Sequence, residues 1–506
     1  MEKRDYEMLV WSLEAEAREQ PALFRAKVIL ISLSAYLLLL GLLGGVGLIS
    51  WGLFSWVRHG WRLFPTLALI GWLLAALPVL AISARMLLSR LDAPQGRALK
   101  AAEAPRLFRL IERLRSQLKA PAIHTVLLTH DFNAAIAQVP RFGLFGGHRN
   151  YLILGLPFLN TVAPKEMMAV LAHEYGHLAG SHGKLSAWIY RQRRTFASLH
   201  EHASQRREED VINGVFATLL DRFAPYYNAY TFVLSRQNEY EADAVAGRLA
   251  GAEASAAGLV RSELLAEWLQ QEFWPKLYQQ AAQRANPSFM PYAAMRKIAA
   301  ATMPEWASKE RLQAAWQRDS GVHDTHPCLR ERVQALDQPC ALPPALSVTA
   351  ADALLGESLA SLTREFDQRW WDGEKGQWQE YHRRHTRATS RIAELSGQPM
   401  EHLDASAAQE LALLLAEYQG SAAAKPVLAH LLGRSGERYP KPVYYYGRVL
   451  LDEGDSKGLD YLEEAARLSP GLANDSLRAG YAWLYEQQGE AAADQWLQQL
   501  QSLMTD

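Results

Sequence analysis

The segment Met167-Met168-Ala169-Val170-Leu171-Ala172-His173-Glu174-Tyr175-Gly176-His177-Leu178-Ala179-Gly180-Ser181-His182 decides how the rest of the chain is read. His173 and His177 stand four apart, so on a helix both imidazoles leave one face at neighbouring height, near enough to grip one cation. Glu174 falls between them. The result is the His-Glu-x-x-His arrangement, in which two histidines hold zinc and the glutamate polarises a metal-bound water. Pro164 suits a helix start, Glu166 suits the first turn, and Met167, Val170, Leu171 and Leu178 form an apolar stripe. A half-buried helix is predicted. Taken alone, the pentapeptide also fits a helix with two surface histidines.

A catalytic zinc site needs a third protein ligand and an open fourth position. The metzincin spacing would put a histidine at 183, where Gly183 stands, and His182 is one step away, about 100° round a helix. A later carboxylate is the alternative. Ser235-Arg236-Gln237-Asn238-Glu239-Tyr240-Glu241-Ala242-Asp243 supplies Glu239 and Asp243, four apart, so that one can ligate while the other supports from behind.

Three blocks now stand in order: His173-Glu174-x-x-His177 with His182, Ser235-Arg236-x-x-Glu239-Tyr240-x-Ala242-Asp243, and Thr325-His326-Pro327-Cys328-Leu329-Arg330-Glu331-Arg332-Val333. In order and spacing they resemble the integral-membrane gluzincins typified by the CAAX prenyl protease and the heat-shock protease HtpX, over about Leu107 to Leu336. The resemblance implies a zincin-like α+β metallopeptidase domain with a small sheet, and one Zn2+ per chain held by His173, His177 and Glu239. It implies Glu174 as general base and His326 as a donor facing the cleft. Asp243 would back a metal histidine, and Arg332 would fix either Glu239 or the substrate. Asn133-Ala134 resembles the strand segment that pairs with an extended substrate; an ordinary hairpin is the other reading.

The balance of 53 Lys+Arg against 54 Asp+Glu, net −1, gives no reason to expect nucleic acid as a partner. Cys328 and Cys340 are too few for a disulfide framework and read as free thiols. After a polar opening, Val28 to Val57 and Leu63 to Ala84 contain no charge, and each is long enough to cross a bilayer as a helix. A transmembrane pair is predicted, with the lipid bilayer as a partner and a bacterial inner-membrane location. Arg18, Arg25 and Lys27 before the pair, with Arg85, Arg90, Arg97 and Lys100 after it, place the catalytic domain in the cytoplasm.

His124 to Leu128 and Tyr151 to Leu154 have short β character around the turn Phe145-Gly146-Gly147-His148. Arg191 to Asp210 reads as a charged helix in which His200 and His202 are solvated. Val211 to Leu234 contains Asp221, Arg222 and Pro225, which favours a buried or interfacial helix over a further span. Pro339, Pro343 and Pro344 mark a boundary. Beyond it, Leu359 to Leu395 carries Trp370, Trp371, Trp378 and Tyr381 as a core stripe, with His382 and His385 exposed.

Gly420, Gly454 and Gly489 are spaced by 34 and 35 residues, and Val443 to Pro470 resembles a tetratricopeptide repeat. Such repeats would offer a surface to a protein partner or only stabilise the enzyme. The expected layout is a polar segment 1–27, transmembrane helices 28–90, a metallopeptidase domain 91–338, a linker with an aromatic helix 339–400 and helical repeats 401–506. The fold class is mainly α. The expected function is a membrane-anchored zinc endopeptidase acting on protein or peptide substrates in membrane-protein quality control. The alternative is a non-catalytic membrane scaffold recruiting partners through its repeats.

Overall fold

A computed structural model of the chain describes residues 3–59, 63–73, 76, 93–140, 147–179, 188–189, 192, 211–321, 324, 326–434 and 438–505. Phe145, Gly146, Gly180, His182, Gly183, His200, His202 and Thr325, and all of the expected Arg191–Asp210 helix except Gln192, lie outside these residues. The chain forms two compact units. One comprises Met1–Pro275 with Phe289–Trp370, the other Lys276–Ser288 with Trp371–Asp506.

The first unit is built on four strands, β1 (Arg97–Leu99), β2 (Thr125–Thr129), β3 (Ala134–Pro140) and β4 (His148–Gly155), in the order β1-β2-β4-β3. β2 runs parallel to β4, while β1 and β3 are antiparallel to their neighbours. β3 is therefore an edge. The central strands are apolar because Val126, Leu128, Leu152 and Leu154 enter one core. The chain opens with helices α1 (Lys3–Glu19) and α2 (Pro21–His59), and the sheet is covered by the helix after β1, α3 (Pro105–Leu118). Leu107, Ile111 and Leu114 of α3 recur at helical spacing on the buried face. Lys119, at φ 51°, ends that helix in the left-handed conformation.

The next long helix, α4 (Pro164–Leu178), starts at a proline, whose missing N–H would be unpaired there anyway. The Glu166 carboxylate accepts the Ala163 N–H at 2.8 Å, and the Arg261 guanidinium holds the same carboxylate through Nε at 2.8 Å. Both side chains are buried. Met167, Leu171 and Tyr175 then bury the inner face of α4. Across it packs α5 (Val211–Ala250), followed by α6 (Ala252–Trp268), which carries Arg261. Ala256, Val260 and Leu264 of α6 enter a further core, where they meet Leu312, Leu329 and Val333.

The expected transmembrane pair is not supported. Among the described residues no helix is long and apolar enough to cross a membrane. The expectations of a bilayer partner, membrane anchoring and an inner-membrane location are corrected with it. The physical reason is visible where the uncharged run begins. Phe24 and Val28 of α2 are buried with Val10 and Leu13 of α1 and with Ala229, Phe232 and Val233 of α5, and the Ser32 carbonyl accepts the Gln192 amide at 2.7 Å. The start of the charge-free run is thus packed in protein, while Leu30, Leu37, Leu48 and Trp51 further along α2 are exposed. Of the second run, only residues 63–73 and 76 are described. Val211 to Leu234 opens α5, and Tyr227, Ala229 and Phe232 to Leu234 within it are buried in protein.

In the second unit, Trp378 is buried and donates from Nε1 to the Arg284 carbonyl at 2.9 Å. His382 meets the Ala281 carbonyl at 3.0 Å through Nδ1. The helices Ala405–Tyr418, Ser421–Gly433, Pro440–Asp452, Gly458–Leu468, Pro470–Gln488 and Glu490–Thr505 follow, each packed on the next. Gly420, Gly454 and Gly489 have φ of 92°, 82° and 87°, a conformation that stops a helix at little steric cost only for glycine.

Candidate functional site

Helix α4 presents His173 and His177 one turn apart, with their Nε2 atoms 3.1 Å from each other. Glu239 reaches them from α5, Oε1 standing 3.3 Å from His177 Nε2 and Oε2 3.5 Å from His173 Nε2. One donor atom from each residue lies within 4.8 Å of the others. A tetrahedron with zinc-to-ligand bonds of about 2.0–2.1 Å has edges of about 3.3 Å. These nearest separations, the two to Glu239 made by different carboxylate oxygens, lie close to that edge length, so the donor set suits zinc in chemistry and in approximate spacing.

The two helices approach this closely because of Gly176. A Cβ there would lie 3.0 Å from Ala242 Cα and 3.3 Å from Ala242 Cβ. Side chains on both helices are thus reduced to nearly nothing at the crossing, and His173, His177 and Glu239 either side of it are drawn together.

Behind the ligands, Asp243 Oδ1 meets His173 Nδ1 at 2.9 Å. That contact leaves the ring with Nε2 toward His177 and Glu239. Arg332 forks the same carboxylate, with Nε to Oδ2 at 2.8 Å and Nη2 to Oδ1 at 2.7 Å, and stands 3.8 Å from Glu239 Oε2. The hydrogen bonds of Arg332 thus go to Asp243, while its guanidinium also stands at ion-pair distance from Glu239.

Electrostatics agree with a cation at this place. Burial alone would raise the Asp243 and Glu239 pKa values, yet bonds from Arg332 and His173 hold Asp243 below its ordinary value. Bonds from His173, His177 and His326 hold Glu239 well below. Burial lowers the His173 pKa, but the bonds to Asp243 and Glu239 prevail and push it up to about 9. Buried carboxylates around an imidazole demand positive charge, which a proton or a metal ion supplies.

His326 lies beside the ligands, its Nδ1 2.8 Å from Glu239 Oε2, with the side chain 69% exposed. Glu174 Oε2 accepts the Ile136 N–H of β3 at 3.1 Å. Asn133 and Ala134 stand at the start of that strand, the Asn133 carbonyl accepting the Gly155 N–H at 2.7 Å. Gly155 has no alternative, since a Cβ would fall 1.7 Å from the Asp131 carbonyl oxygen. Cys328 and Cys340 are not joined in a disulfide.

Several residues that shape the site carry no motif signal of their own. Gly176 occupies a position that His-Glu-x-x-His leaves open, and a glycine inside a helix is the one sign of it in the sequence. Arg236 stands in the second block without a role in its chemistry. It donates from Nη1 to Glu14 at 2.9 Å and from Nη2 to Glu331 at 2.5 Å, joining α1, α5 and the short helix α7 (Leu329–Ala335) that carries Arg332. Ile136 acts through its backbone, which no side-chain pattern reveals.

A comparison with curated proteins finds no match. Residues 101–340, which hold His173, Glu174, His177, Glu239 and His326, match the model of Peptidase family M48, and this supports a zinc-dependent metallopeptidase acting on protein or peptide substrates.

Proposed function

We propose that the chain is a zinc endopeptidase of the gluzincin type, in which His173, His177 and Glu239 hold the metal and Glu174 is the general base. The observation that carries the reading is the convergence of His173 Nε2, His177 Nε2 and the Glu239 carboxylate, one donor atom from each within 4.8 Å of the others and the nearest contacts at 3.1, 3.3 and 3.5 Å. When bound, zinc supplies Lewis acidity for hydrolysis of a peptide bond. Glu174 takes the proton of the attacking water on its carboxylate and returns it to the leaving amine. Asp243, clamped by Arg332, keeps His173 in one tautomer and orientation.

His326 donates from Nδ1 to Glu239, and in its imidazolium form, which carries an N–H on both ring nitrogens, it also donates from Nε2 to a substrate oxygen. The free edge of β3, from Ala134 onward, receives an extended substrate as an added strand. The positive φ at Gly420, Gly454 and Gly489 supports reading residues 405–505 as tetratricopeptide-like repeats.

Zinc content and casein or self-cleavage, measured for wild type and Glu174→Gln, test the assignment. Both proteins should hold one zinc, and the variant should lose roughly 10²–10⁴-fold in rate. Equal rates would reject Glu174 as the base. Full zinc loading without cleavage of any substrate would favour a binding protein.

A further inference from the structure

The register of the sheet edge says which backbone groups of β3 face outward. Asn133 accepts the Gly155 N–H, so these two residues form a hydrogen-bonded pair. In an antiparallel ladder such pairs alternate with pairs whose N–H and C=O groups point away. Ala135 and Ala137 therefore turn toward β4, whereas Ala134, Ile136 and Gln138, opposite Leu154, Leu152 and Asn150, turn toward the open edge. One of these outward donors is in use, because Ile136 N–H donates to Glu174 Oε2 at 3.1 Å.

A peptide adding to this edge needs the same N–H for one of its carbonyls. The Ile136 amide has a single hydrogen, so carboxylate and peptide compete for it. We propose that Glu174 is parked on Ile136 and that an extended peptide frees it by taking over that donor, so that docking along β3 and arming of the base are one event. This rests on the peptidase reading above and gives it a substrate class: peptides long enough to cover Ile136. While Oε2 accepts the Ile136 N–H it is held against the strand, and its release leaves both carboxylate oxygens open to the attacking water and the leaving amine. Short peptides bind with the base still engaged. Selection for length then appears in kcat and not in KM alone.

The test uses the full-length zinc-loaded protein and nested fluorogenic peptides that share one scissile bond and lengthen one residue at a time. In wild type, kcat should step up roughly tenfold or more at one added residue, the range set by a hydrogen bond to a charged group. Further residues should alter only KM. Ile136→Pro removes the donor at an edge position where proline is tolerated, and it should abolish the step by bringing short-peptide kcat up to the extended value. A flat wild-type kcat across the series, or a step that persists in Ile136→Pro, overturns the proposal.

Hydrogen exchange at the Ile136 amide gives a readout independent of turnover and of whether the proline variant folds. Glu174→Ala should speed that exchange roughly tenfold or more, and a non-hydrolysable extended peptide should slow it again while a short one does not. Unchanged exchange in Glu174→Ala, or equal protection by both peptides, overturns it. Should no peptide of any length be cleaved, the peptidase reading has failed, and the exchange result alone decides whether Glu174 and a peptide share the donor.

Discussion

Replacing Gly176 with alanine tests whether the approach of α4 and α5 sets the geometry of the metal centre. The new Cβ would stand 3.0 Å from Ala242 Cα, 3.3 Å from its Cβ and 3.4 Å from Val245 Cβ. Comfortable carbon contacts begin at about 3.5 Å, so the helices must part by about half an ångström. The nearest atom is a backbone Cα inside a helix, which no rotamer change can move aside. Overpacking of this kind costs about 1–3 kcal/mol, offset by about 1 kcal/mol because alanine favours a helix over glycine. Net stability should therefore fall by no more than about 2 kcal/mol.

The larger effect is expected at the metal. Parting the helices draws Glu239 away from both imidazoles, and misplacement of such supporting geometry weakens zinc binding by about ten- to a hundredfold. Competition against a chromophoric chelator measures the affinity, and thermal unfolding followed by circular dichroism measures the stability. Ala242→Gly in the same chain should restore only part of the affinity, since it removes the 3.3 Å contact but leaves the 3.0 Å one. If Gly176→Ala binds zinc as tightly as wild type and melts higher, the close crossing does not control the site.

Three further outcomes are expected. Arg332→Met leaves the buried Asp243 carboxylate with His173 as its remaining bonded side chain, and should weaken zinc binding about ten- to a hundredfold in the same chelator assay. Arg261→Met strands the buried Glu166 carboxylate and should cost about 3–5 kcal/mol in urea unfolding, with Glu166→Gln in the same chain recovering about half. Glu103 is held at about 2 by the Arg97 guanidinium and then by the Lys100 N–H. Its folded pKa lies below the ordinary 4.5, so its contribution is present above about pH 4.5 and lost as pH falls toward 2. Solvent screening limits that contribution to about 1 kcal/mol. Glu103→Gln should remove this part of the acid dependence in a pH series of unfolding midpoints.

The pairing of His173 with His177, and of Glu239 with Asp243, is legible because a four-residue step on a helix puts two side chains on one face. That Glu239 would meet the histidines came from likeness to a family, since nothing local to either helix says that they cross. The crossing depends on Gly176 and Ala242, two residues whose contribution is the absence of bulk. Side-chain chemistry names neither. The Ile136 amide is hidden for a different reason, because every residue but proline carries the same group and only strand register gives it a direction. The run from Val28 misled for a third reason: lack of charge does not say what covers a segment, and here Val28 packs with α1 and α5 while Leu30, Leu37 and Leu48 stay exposed.

Arg236 has one arm on Glu14 and the other on Glu331. The opening helix is thereby a strut for the segment bearing Arg332, although it contributes no ligand. An affinity tag fused to the first residues, a proteolytic nick between α1 and α2, or a protein that grips α1 would each loosen that strut. Zinc affinity would then register events at a helix that supplies none of the donor atoms.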